Sequence, residues 1–117
     1  MTSLLGSQLD CMITCDPLMK LNIAGIFPSD RITRLHANQG LIVNTDPHYR
    51  EGLHWIAAYN VNNERIEILD SLNNIKLQNQ INFKQLAGDV PVYLNNNALQ
   101  CTDTYSCGYY CICFFVF

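Results

Sequence analysis

The chain has 117 residues, 49% hydrophobic and 15% charged, with a formal net charge of −3. That length suits one domain with a single real core. The acidic balance and the lack of any Lys/Arg cluster speak against a dedicated nucleic-acid binder. The longest apolar run, Tyr109–Phe117, is far shorter than the roughly 20 residues a bilayer-spanning helix needs. Met1–Asp10 has neither a basic start nor a long apolar stretch, so no secretory signal is read there. Six cysteines in such a chain, three of them crowded at Cys107, Cys111 and Cys113, are expected to be mostly reduced thiols in an intracellular setting.

In chain order, residues 3–13 carry a loose helical period with Ser3 as cap. Gly25–Ser29 reads as a turn, followed by a short helix capped by Ser29 or Asp30. Gly40–Thr45 (GLIVNT) reads as a buried strand, and TDPHYREG as a polar loop. HWIAAYNVNNERIEILDS supplies two alternating segments around Asn62–Asn63, a hairpin signal. LNNIKLQNQ reads as an Asn/Gln-rich loop, and NFKQLAG as a short helix closed by Gly88. VPVYL is a strand that Pro91 assigns to an edge or an entry position, and Asn95–Asn97 reads as a turn. Together these predict an α+β fold with a small, mostly antiparallel sheet, one domain over residues 1–117.

The hairpin carries the first chemical signal. Folded about Asn62, it sets His54 directly opposite Asp70, with Cβ atoms about 5 Å apart on one face. His54, Ile56 and Ala58 then share that face with Asp70, Ile68 and Ile66. Trp55, Ala57 and Tyr59 share the other with Leu69, Glu67 and Arg65. A two-residue turn at Asn62–Asn63 instead brings Ser71 opposite His54, because one slip flips every side chain. The pattern favours an odd loop, Val61–Asn63 or Asn60–Glu64. A carboxylate beside an imidazole fixes its tautomer and stabilises the imidazolium; a purely structural His–Asp pair has the same appearance.

The second signal is SCGYY, Ser106–Tyr110. A nucleophilic cysteine works as thiolate, favoured by a helix N-terminus and an imidazolium. Gly108 allows a substrate carbonyl close to the backbone, and the Cys107 N–H and the Gln100 amide can serve an oxyanion. By propensity alone, YYCICFFVF reads as a buried strand with an inert thiol. Both readings stand on the residues alone.

Zinc is not expected: Cys11-x3-Cys15, Cys101-x5-Cys107, Cys107-x3-Cys111 and Cys111-x-Cys113 contain no paired C-x2-C knuckle. Cys11 and Cys15 read as small core or surface thiols, Cys111 and Cys113 as packing, and His36 and His48 as exposed. Asp103 and Ser106 read as local hydrogen-bonding residues that shape the loop before Cys107.

GLHW, an Asp sixteen positions after the His at the end of IEILD, then Gln100, then SCG with its Cys seven positions later, resembles the adenovirus-type endoprotease (adenain) and the wider group of ubiquitin-like-protein-specific cysteine proteases, including relatives from viruses and virus-like transposons. GIFPSD and LIVNT upstream agree, and the likeness covers roughly Asp16–Phe117. The resemblance implies a thiol peptidase with papain-like site geometry. Cys107 is then the nucleophile at the start of a central buried helix, which overrules the strand reading of 109–117. His54 is the general base and then acid, Asp70 its orienter, and Gln100 with the Cys107 N–H the oxyanion hole. Trp55 lies beside the site, as a substrate contact or as packing, and Gly108 lines the substrate path.

It further implies cleavage after Gly, most simply in maturation of viral structural precursors, located intracellularly, in the host nucleus or the virion. Alternatives on the same resemblance are a deconjugase of ubiquitin-like modifiers, an acetyltransferase effector with the same kind of site, and an inactive remnant or interaction domain. The partner expected is a protein substrate, a viral precursor or ubiquitin-like conjugate, with no membrane and no nucleic acid. No cofactor is carried over. The family's activating peptide is tied to a strand preceding the Gln, and Asp89–Leu94 here has no Cys. The chain stops ten residues after Cys107, where family members continue, so an incomplete C-terminus is expected.

Overall fold

A computed structural model describes residues 8, 11–13, 15–16, 22–47, 54–79, 81–95, 111 and 114. Among the described residues five strands form one sheet: β1 (Ile23–Phe27), β2 (Gly40–Asn44), β3 (Trp55–Val61), β4 (Arg65–Leu69) and β5 (Val92–Leu94), in the spatial order of the chain. Two short helices, α1 (Ile75–Gln78) and α2 (Phe83–Ala87), lie between β4 and β5. Gln8 and residues 11–13 are also helical, as the period over 3–13 predicts, and so are Cys111 and Phe114.

The fold is α+β, but the sheet is mixed rather than mostly antiparallel. β2–β3 and β3–β4 are antiparallel, while β1–β2 and β4–β5 are parallel. The cause is connection length. A hairpin turn returns the chain antiparallel, whereas a connection of a dozen or more residues permits a crossover. Residues 28–39 join β1 to β2, and the segment holding α1 and α2 joins β4 to β5.

Alternation sorts the side chains into two cores. Leu41, Val43, Ile56, Ala58, Ile66 and Ile68 face one side, where Ile32, Leu35 and Leu86 cover them. Ile42, Trp55 and Ala57 face the other and meet Ile13, Ile23 and Cys111. This two-sided cover explains why every residue of β2 is buried, as in a central strand with both faces packed. Each Ile or Leu so buried contributes about 1.5–3 kcal/mol. On the second face Arg65 and Glu67 form an exposed ion pair at 2.9 Å, and Tyr93, paired with Glu67 on β5, is also exposed.

Three elements depart from the sequence reading. Gly25 lies inside β1, not in a turn, at φ +151° where the register with β2 shifts between Ile23 and Ile26; a bulge is a common setting for strand glycine. No helix follows Ser29. Ile32 and Leu35 are buried three apart, which imitates a helical period. Their segment instead bonds to its neighbours, Ser29 N–H to Asp46 O at 2.9 Å and Leu35 N–H to Leu86 O at 2.9 Å. The stretch read as an Asn/Gln loop contains α1. The short helix before Gly88 and the edge position of β5 agree with expectation: Asn82 caps α2 by accepting from the Gln85 N–H, and Gly88 follows at φ 62°.

Candidate active site

His54 immediately precedes β3, and Asp70 immediately follows β4. The Thr45 N–H donates to the His54 carbonyl at 2.9 Å. That bond prolongs the β2–β3 ladder one step past Asn44↔Trp55, so the His54 backbone is held as firmly as a strand residue.

The hairpin closes through a three-residue loop, Asn62–Glu64, with Val61 paired to Arg65. The loop is odd, as the face pattern requires, but centred on Asn63 rather than Asn62. Continued from Ala57↔Leu69, the ladder sets Asp70 across from Ile56, with His54 one same-face step further along. Parity is preserved, so the two side chains still meet. His54 Nε2 lies 2.5 Å from Asp70 Oδ1, and the two residues are 1% and 0% exposed.

Asp70 is fixed from every side. Its Oδ1 also accepts from the Leu72 N–H at 3.1 Å, and Oδ2 accepts from the Asn74 N–H at 2.9 Å and the Gln78 side-chain amide at 2.7 Å. Asn95, just past β5, clamps its main chain. The Asp70 N–H donates to Asn95 Oδ1 and the Asn95 amide donates to the Asp70 carbonyl, both at 2.8 Å. Burial alone pushes the carboxyl up. The bonds from His54, Gln78 and the Asn74 amide, with the attraction of the His54 charge, outweigh it and hold the carboxyl below its ordinary value.

An ionised carboxylate only accepts hydrogen bonds. Nε2 must therefore carry the proton that faces Oδ1, which makes Nδ1 the basic nitrogen of neutral His54. Nδ1 is itself shut off from bulk water. The pair is thus an oriented base whose imidazolium form a fixed negative charge would stabilise.

Trp55 is 8% exposed and packs with Ala57, Ile42 and Cys111 in the second core. Its burial fits the packing role. Cys111 is 1% exposed, as expected of a helix-packing thiol, and His36 is exposed. Gln100, Cys107 and Gly108 lie outside the described residues, as do His48, Asp103, Ser106 and Cys113. Among the described residues no group of three or more His, Cys, Asp or Glu could hold a metal, and no helix is long and apolar enough to cross a membrane.

Gln78, Asn74 and Asn95 were not visible as site residues in the sequence. The only signal was spacing: Asn74 follows Asp70 by four and Gln78 follows Asn74 by four, the helical step that lets one side chain gather donors from the next turn. Compared with protein-family models and with curated proteins, the sequence matches none.

Proposed function

We propose that the chain is a cysteine endopeptidase of the adenovirus-type and ubiquitin-like-protease kind, cutting protein substrates after glycine, with precursor maturation as its task. The observation that carries this reading is the buried His54–Asp70 pair, with the carboxylate on Nε2 and Nδ1 left as the basic nitrogen. Fixing one tautomer of a buried imidazole with a four-fold hydrogen-bonded carboxylate is what general-base catalysis needs. Cys111 adds support. It follows Cys107 by four residues in the sequence and packs in the cluster of Trp55, the chain neighbour of His54.

In this mechanism Nδ1 of His54 takes the proton of the Cys107 thiol, and the thiolate attacks the carbonyl carbon of the scissile bond. The oxyanion is met by the Cys107 N–H and the Gln100 side-chain amide. His54 then gives its proton to the leaving amine, and a thioester remains. Water, deprotonated by His54, hydrolyses it and restores the thiol. Asp70 keeps the ring oriented throughout and remains ionised.

A glycine-type peptide whose C-terminal carboxyl is replaced by a vinyl methyl ester, a Michael acceptor that a thiolate adds to irreversibly, tests this. It should label Cys107 in the wild type, not at all in Cys107→Ala, and at least about 100-fold more slowly in His54→Ala, the usual scale for losing a general base. Cleavage of a Gly-containing peptide should vanish in both variants. Cleavage that persists in Cys107→Ala ends the proposal. So does Cys107 alkylation by iodoacetamide that rises only near pH 8–9, the range of an unperturbed thiol.

A further inference from the structure

Cys11 and Cys15 take no part in the mechanism above. Both are exposed thiols, not joined to each other. The Cys15 N–H donates to the Cys11 carbonyl at 3.0 Å, a bond that closes one α-helical turn between them. The two sulfurs lie 3.9 Å apart. Between them Ile13 is 3% exposed and belongs to the cluster of Trp55 and Cys111, while Met12 is 39% exposed. The turn is therefore anchored on its inner side and shows its sulfurs to solvent on the other.

We propose that Cys11 and Cys15 form a redox-responsive dithiol that closes to a disulfide by exchange with low-molecular-mass disulfides of the glutathione class. Cα atoms one helical turn apart, at about 1.5 Å rise per residue, are separated by roughly 6 Å, inside the range of about 4.4–6.8 Å a disulfide accepts. The Cβ atoms of such a pair stand about 5–6 Å apart, beyond the roughly 3.5–4.5 Å that a disulfide spans, so closing the sulfurs from 3.9 Å to about 2.05 Å loosens the turn between them as well as rotating the side chains.

The electron balance is simple. The thiolate of Cys11 attacks one sulfur of the small disulfide, forms a mixed disulfide and expels one thiolate. The thiolate of Cys15 attacks the Cys11 sulfur of that adduct, forms the Cys11–Cys15 bond and expels the second. The protein loses two electrons and two protons, and the small disulfide becomes two thiols. Because the second attack is intramolecular between neighbouring sulfurs, it outruns capture of Cys15 by another small molecule.

The experiment uses the full chain with Cys107→Ala, which removes the proposed nucleophile from the readout, so the outcome is independent of the peptidase reading. The protein is equilibrated with oxidised and reduced glutathione, the remaining thiols are capped, and the tryptic peptide Met1–Lys20 is weighed. In the parent it should run about 2 Da lighter than the reduced form and carry no lasting glutathione. Cys15→Ser should instead accumulate one glutathionyl group on Cys11. Both cysteines are exposed, so the serine variant keeps the fold, which circular dichroism checks. A peptide that stays reduced overturns the proposal. So does one that holds two glutathionyl groups, one that keeps a single adduct to the same extent as Cys15→Ser, or one joined to any other cysteine.

Discussion

Asp70→Asn is the sharpest perturbation of the core described above. The substitution keeps the shape but turns one carboxylate oxygen into an NH2 donor. In the wild type Oδ1 meets His54 Nε2 and the Leu72 N–H, and Oδ2 meets the Asn74 N–H and the Gln78 amide. The imidazole can shift its proton and Gln78 can turn its amide over, but a backbone N–H can do neither. Whichever edge carries the NH2, one backbone donor is left without an acceptor, at about 1–3 kcal/mol. The bonds that survive lose their charge assistance, roughly half their strength, so the total is about 3–5 kcal/mol.

That is a large part of the 5–15 kcal/mol typical of a domain. Urea unfolding should show it as a midpoint drop of about 2 M for an ordinary slope. The pH dependence has a definite sign. The Asp70 carboxyl is held below its ordinary value in the folded state, so its contribution is present above the unfolded value and is lost as the pH falls through the folded one. The gap between wild type and Asp70→Asn should therefore narrow from about pH 5 downward. A loss under about 1 kcal/mol, or a gap that stays constant into acid, refutes the reasoning.

Gln78→Leu removes the donor at 2.7 Å from Oδ2 while keeping bulk; it should cost about 1–3 kcal/mol at neutral pH and move the midpoint of acid unfolding, followed by circular dichroism, to higher pH. Gly88→Ala places a Cβ in a backbone at φ +62°, 2.2 Å from Arg34 Nη1; thermal melting should report a loss of about 1–3 kcal/mol, of which Arg34→Ala in the same chain recovers the clash but not the backbone strain.

The sequence made β2 and the β3–β4 hairpin legible because their patterns are local. Four apolar or small residues, Gly40–Val43, bounded by polar ones, and two alternating runs around Asn62–Asn63 leave little choice of element. Even so, the loop centres on Asn63, one residue past Asn62, which shifts the pairing by two and leaves the faces unchanged. Asn62 and Asn63 both take positive φ, 54° and 63°, and Glu64 completes the loop with its N–H on the Val61 carbonyl at 2.8 Å. Nothing in Asn-Asn-Glu marks its own midpoint.

The parallel pairings of β1 and β5 were illegible for another reason. They depend on how long connections pack, not on any residue within the strands. Helix α1 depends on Asp70, since the carboxylate that holds His54 also binds the Asn74 N–H at which the turn begins. A helix stabilised from outside its own segment has no composition to announce it.

The hairpin loop has a consequence for how such a gene can vary. Insertion or deletion of a single codon between Val61 and Arg65 would reverse the sidedness of β4, sending Asp70 toward the Leu69 side and stranding His54. Indels of two codons would spare sidedness but slide β4 along its partner, lengthening or shortening the reach between imidazole and carboxylate. Descendants of this chain that retain the pair should therefore hold the length of Asn62–Glu64 at three and keep Asn, Asp or Gly at its two positive-φ positions.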